Sequence, residues 1–219
     1  MSEMNNNTTE LVFILDRSGS MQGLEKDTIG GFNRMIEKQK RVEGLALVST
    51  VLFDSECTVL HDRVPLGQVL PMTENDYTVR GCTALLDAVG GAIHHIGNVH
   101  KYARKEDVPA HTLFIITTDG MENASRSYTS ARVKEMIAEK QKLGWEFIFL
   151  GANIDAVETA RALNIDEDHS VDFHADGVGM GCVMESVNMA INAKRKGAAS
   201  LPRQWKACTE ADFKARNNK

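Results

Sequence analysis

The sequence predicts an α/β fold: a three-layer α/β/α sandwich around a mostly parallel central sheet with one short antiparallel edge strand. Two observations lead there. Short apolar runs, rich in β-branched and aromatic residues, alternate along the chain with longer amphipathic segments, the pattern of a parallel sheet covered by helices on both faces. The 219 residues, 42% hydrophobic and 25% charged, are enough for one domain with a continuous core.

The first strand is expected in "ELVFILD" (10–16), which leads into Asp16-Arg17-Ser18-Gly19-Ser20, three short oxygen-bearing side chains at alternate positions. Alone, that segment reads first as a helix-capping turn, with a nucleophile and its helpers or part of a metal cradle as the other readings. A helical pattern follows at 24–42, with Gly30-Gly31 inside it; two glycines cost roughly 1 kcal/mol each relative to alanine, so close packing or a kink is expected there. "LALVSTVLFD" (45–54) is the second strand, and "ECTVLHDRV" (56–64) follows after only a turn, as expected of the antiparallel edge strand. Asp54 between them reads as a turn residue and a distant neighbour of the same rim.

"RGCTALLDAV" places Thr83 at a helix start, after a glycine that allows a sharp turn, with the helix at 83–103. Cys82 is expected as a buried structural thiol and Asp87 as a first-turn acid favoured by the helix dipole. "TLFIITTD" (112–119) ends the next strand at Asp119-Gly120; a helix at 129–143, the strand "EFIFLGA" (146–152), a helix at 154–164 and a last strand near "HSVDFHA" (169–175) follow. "DGVGMGC" (176–182) lacks the spacing of a nucleotide-binding loop and reads as a turn into a final helix at 178–196, whose Met180, Val183, Met184, Val187 and Ile191 make one apolar stripe. The organisation expected is a disordered N-terminus (1–9), one domain (10–196) and a loose basic tail (197–219).

Charge is uneven: Lys194–Lys219 carries a net +6, leaving −11 on the rest of the net −5 chain, which argues against a general nucleic-acid-binding surface. The tail alone is the place where an acidic partner or nucleic acid would dock. Four widely spaced cysteines read as reduced thiols, and neither a signal peptide nor a membrane span is recognisable, so a cytoplasmic protein is expected.

In an open α/β sheet, ligands sit beyond the carboxyl ends of the strands. Asp16, Ser18, Ser20, Thr83 and Asp119 all fall at that rim, on three separate loops. Two carboxylates and three hydroxyls are hard donors suited to Mg²⁺ or Mn²⁺, and a cation held largely by neutral oxygens stays able to attract one more anionic oxygen, such as a partner's Asp or Glu. A helix cap needs no partners on other strands, so the full set favours the metal cradle. The competing reading is a metal-dependent phosphohydrolase using Asp16 or Ser18; no base is visibly paired with Ser18, and Gly-x-Ser-x-Gly is absent.

The set Asp16-x-Ser18-x-Ser20, Thr83 and Asp119 resembles the metal-ion-dependent adhesion site of von Willebrand factor A (VWA) domains, over roughly residues 10–175. The resemblance implies that Ser18, Ser20 and Thr83 coordinate the ion through hydroxyls, that Asp16 and Asp119 act directly or through water, and that the last helix can move on ligand binding. With "TTDGMEN" and "WEFIFLGAN", the chain is similar to compact intracellular bacterial or phage-type members. Such members often act as non-enzymatic partners or adaptors, some beside MoxR-type AAA+ ATPases, which the resemblance offers as a partner class.

Overall fold

The structure, a computed structural model, describes residues 7–217; the first six residues of the expected disordered N-terminus lie outside the described residues. Six strands form one sheet: β1 (Thr9–Asp16), β2 (Ala46–Phe53), β3 (Cys57–Pro65), β4 (His111–Thr118), β5 (Trp145–Ala152) and β6 (Ser170–Phe173), in the order β3-β2-β1-β4-β5-β6. All neighbours pair in parallel except β2 with β3. The fold class predicted from sequence is therefore the one observed, with one difference. The antiparallel edge strand, expected to be short, is the longest at nine residues. Register shifts between Val48 and Val51 let it bend along β2, with Arg63 at φ 50°.

The helices are α1 (Glu25–Lys40), α2 (Leu85–Tyr102), α3 (Ser130–Gln141), α4 (Ala156–Ala162), α5 (Gly177–Arg195) and α6 (Ala207–Asn217). Side-chain alternation in β1 divides the core into two layers. Leu11, Phe13 and Leu15 face α1 and α5, whereas Val12 and Ile14 face α2, α3 and α4. Close packing explains the second glycine of the α1 pair: a Cβ on Gly31 would lie 2.8 Å from Cγ of Met184 on α5, whereas one on Gly30 would meet only the end of the Arg34 side chain. Asp176 caps α5 by accepting from the Val178 and Gly179 amides, so "DGVGMGC" is a helix start.

Of the segment expected as a loose basic tail, residues 218–219 lie outside the described residues and 197–217 are instead folded. A 3-10 turn (Arg203–Lys206) leads into α6, and Trp205, fully buried, donates from its indole nitrogen to the Asp168 carbonyl at 2.9 Å. Three nearby positive charges, Lys194 and Arg195 at the end of α5 and Lys206 in the 3-10 turn, are buried at chain turns. Lys194 meets Glu146 at 3.0 Å and the Ala198 carbonyl at 2.9 Å; Lys206 donates to the Glu167 and Ser170 carbonyls. Arg195 donates to the Gln39 and Gly44 carbonyls where α1 turns towards β2. Buried cations of this kind supply donors for chain ends that would otherwise be unsatisfied. The composition signalled charge but gave no sign of which carbonyls it would meet.

Candidate metal centre

β1 and β4 are central neighbours whose connections leave in opposite directions, β1 towards β2 and β4 towards β5, so a crevice opens above their carboxyl ends. Leu15 lies beside Thr117, which puts Asp16 and Thr118 side by side at the rim. The Asp16 carboxylate is held at both oxygens: Oδ1 accepts from the Ser18 amide at 2.7 Å and Oδ2 from the Thr118 hydroxyl at 2.5 Å. The Ser18 and Ser20 hydroxyls are 3.0 Å apart, Thr83 donates to Ser18 at 3.0 Å, and Ser20 donates to Oδ1 of Asp119 at 2.5 Å. The structure thus brings all five sequence-selected residues into one hydrogen-bonded cluster. Four of them are buried, with Ser20 at the open side.

Two features show that this cluster fits a cation. Oδ2 of Asp119 is buried without a hydrogen-bond partner, a costly state for a carboxylate oxygen unless something else is to meet it. Gly120 closes the cradle with backbone alone: a Cβ there would come within 2.8 Å of the Thr83 hydroxyl and 3.0 Å of that of Ser20. The donor set is two carboxylates and three hydroxyls, all hard oxygens. Among the described residues no group of three or more His, Cys, Asp or Glu gathers as an alternative site. Burial raises the Asp16 pKa above its ordinary value against the hydrogen bonds from Thr118 and Ser18. Asp119 is also raised, first by burial and then by the charge of Asp16. Two carboxylates strained in this way are relieved by a nearby positive charge.

Several residues that hold the cluster were not assigned from sequence. Tyr77, buried, donates its hydroxyl to the Asp16 carbonyl and fixes the end of β1. Arg17 turns away from the cradle to pair with Asp54 at 2.8 Å and with the Thr58 hydroxyl; Arg80 joins the same carboxylate at 3.0 Å. Asp54 is thus an ionic anchor as well as a turn residue, its Oδ1 accepting from the Glu56 amide. Asn123 accepts from the Thr83 amide at 2.9 Å, and Glu122 from the amides of Leu86, Ala124 and Ser125. Thr118, Glu122 and Asn123 all lie in "TTDGMEN", whose pattern was visible without their separate roles being so. Cys82, expected to be buried, is exposed: Gly81, at φ 67°, turns the chain outward, and the Cys82 amide bonds to the Ser55 hydroxyl.

Asp87 does more than favour the α2 dipole. Its carboxylate accepts from the amides of Arg126, Ser127 and Tyr128, all at 2.8–2.9 Å, and pins the loop that leaves Asp119. Burial opposes its ionisation, but these backbone bonds outweigh it and its pKa lies below the ordinary 3.8. A depressed folded pKa adds stability that is present above the unfolded value and lost as pH falls through the folded one. The Asp87 contribution should therefore persist to about pH 4 and disappear only below it. Asp87→Ala should cost roughly 2–3 kcal/mol in urea unfolding at pH 7 and abolish that part of the acid dependence.

Neither a family model nor a curated protein matches the sequence. Solved structures do match. The vWF domain of the type V pili tip protein Mfa5 from Porphyromonas gingivalis superposes with TM-score 0.61 at 11% identity, over 84% of this chain and 95% of that one. The fold is VWA-like. Manganese-loaded TRAP protein of Plasmodium vivax gives TM-score 0.56 at 18% identity, covering 80% of this chain and 71% of its own. Proximal thread matrix protein 1 from the mussel byssus, with a zinc-occupied MIDAS motif, gives 0.54 at 15% over 82% of this chain and 44% of that one, so the chain spans less than half its length. VWA-like structures of this kind thus include a pilus tip protein, a matrix protein, and members holding manganese or zinc.

Proposed function

We propose that this chain is a metal-dependent protein-binding module that holds Mg²⁺ or Mn²⁺ on Asp16, Ser18, Ser20, Thr83 and Asp119 and takes the Asp or Glu side chain of a partner as a further ligand. The observation that carries the proposal is the buried, unpaired Asp119 Oδ2 beside three hydroxyls and a second carboxylate. When bound, the ion supplies an electrophilic position for an outside carboxylate. The chain's own residues do the rest. Thr118, Tyr77 and the Ser18 amide fix Asp16; Asn123 fixes Thr83; and Asp87 and Glu122 hold the Asp119 loop in shape.

The phosphohydrolase reading gains nothing from this geometry, since the hydrogen-bond partners of the Ser18 hydroxyl are the hydroxyls of Ser20 and Thr83 rather than a base. An adaptor role in a cytoplasmic complex, with a MoxR-type AAA+ ATPase as one partner class, is the finer form of the proposal, and the sequence resemblance is its support. Among the described residues no helix is long and apolar enough to cross a membrane.

The test is affinity capture on the immobilised full chain in three arms: with magnesium, with chelator, and with Thr83→Ala as bait in magnesium. The expected result is a partner retained in the first arm and lost in the other two. The same proteins in all three arms would place partner binding on another surface.

A further inference from the structure

At the amino ends of β4 and β5, the end of the sheet opposite the metal rim, a cleft of about 640 Å³ lies between α2 and α3. That volume falls in the range of about 300–1,000 Å³ common among small-molecule sites. Its apolar lining includes Ile93 of α2, Met136 of α3 and Trp145 of β5, each buried. Cations line it from both helices: Lys101 on α2, Arg132 and Lys140 on α3. The one carboxylate among the lining residues is that of Glu139. Such a cleft runs against the average charge of the chain, whose residues ahead of Lys194 carry a net −11.

Helix ends explain part of this. Lys101 and Lys140 stand in the last turns of α2 and α3, where a cation offsets a dipole equivalent to roughly half a negative charge. About half of each ammonium charge is left over. Nor does the dipole account for Arg132, in the first turn of α3, where a cation is disfavoured. Arg132 pairs with Glu135 at the surface, where such pairs contribute little. The two ammonium groups have rings for neighbours: Lys140 lies over Trp145 at 4.9 Å and Lys101 over Tyr102 at 5.2 Å, and neither forms an ion pair among the described residues. Gly97 makes room for the first of them. A Cβ on that residue would lie 2.8 Å from Nζ of Lys140 and 3.2 Å from its Cε, so the ammonium crosses from α3 to α2 over a position with no side chain.

We infer that the α2–α3 cleft is a second ligand site, for a small organic anion whose apolar body lies on Ile93, Met136 and Trp145 and whose carboxylate, sulfonate or phosphate head meets Lys140 and Lys101. The two parts of such a ligand reinforce each other. Apolar contact removes water from around the head and so strengthens its attraction to the ammonium groups, while the head supplies the direction that apolar contact lacks. Met136, unbranched and polarisable, adapts to the shape of the body. The site uses none of the rim residues, so binding there needs no metal ion.

The test is a titration of the ¹⁵N-labelled full chain, free of divalent metal, with anilinonaphthalene sulfonate, an aromatic anion of this class, followed by amide shifts and by fluorescence. The expected result is saturable one-to-one binding with the largest shifts at Gly97, Lys101, Thr112, Lys140 and Gly144. Phenylnaphthylamine, which has the same rings without the sulfonate, should bind at least ~10-fold more weakly. Lys140→Glu should weaken sulfonate binding at least ~10-fold, while Lys214→Glu, the same change of charge at an exposed position of α6, should leave it within about twofold. Gly97→Leu should obstruct the cleft and abolish binding without lowering Tm, since glycine is the poorer helix former. Equal affinity for the two probes, unchanged binding in a folded Lys140→Glu or Gly97→Leu variant, or shifts centred on another part of the chain would each overturn the inference.

Discussion

Asp119→Ala should weaken manganese binding at least ~100-fold, beyond detection in a calorimetric titration that reads wild-type binding. The side chain offers the one carboxylate oxygen of the cradle that is buried and otherwise unpaired, and its other oxygen holds the Ser20 hydroxyl in place. Removing it deletes a charged donor and releases a neutral one. The fold should survive the change. Burial and the charge of Asp16 raise the Asp119 pKa, so its ionised form opposes folding in the metal-free protein. Metal-free Asp119→Asn should accordingly melt no lower than wild type, while wild type alone should gain Tm on adding manganese. Loss of binding together with loss of fold would instead make Asp119 a structural residue.

Trp205→Ala should be the most damaging single change outside the sheet, costing about 3–5 kcal/mol by urea unfolding. The indole is fully buried against the α5 side of the core, and its nitrogen satisfies the Asp168 carbonyl, so truncation leaves both a cavity and an unpaired acceptor. Two residues away, Arg203 is 82% exposed and pairs with Asp168 at 3.1 Å on the surface. Arg203→Ala should change stability by no more than about 0.5 kcal/mol. A large difference between the two variants shows that the C-terminal segment is part of the fold; equal and small effects would mean that it only rests on it.

Most of the architecture was legible because its signals are local. The β-branched runs, the amphipathic periods and the single tight turn before β3 each report on a few consecutive residues, and all six strands and five helices stand within a few residues of where the sequence put them. The rim set was legible for a related reason: strand ends place loops, and Asp16 and Asp119 close two strand runs. What could not be read depends on distant pairings. Nothing near Arg17 shows that it will find Asp54, nor does anything near Tyr77 point to the carbonyl of Asp16. The fold of the C-terminal segment was hidden for the same reason: its charges, Gly197 and Pro202 resemble those of a solvated end, and only the tertiary structure shows Trp205 meeting the Asp168 carbonyl and Lys206 that of Ser170. Cys82 shows that one glycine of positive φ can reverse an expected burial.

The most direct test of the account is nuclear magnetic resonance of the ¹⁵N-labelled full chain with substoichiometric Mn²⁺, whose paramagnetism broadens nearby amides. The metal-cradle account predicts selective loss of the signals of Ser18–Met21, Cys82–Ala84 and Gly120–Asn123, three segments far apart in sequence that meet only at the rim. Broadening centred instead on another acidic surface, such as Glu25 and Glu74, with these three segments intact, would contradict it.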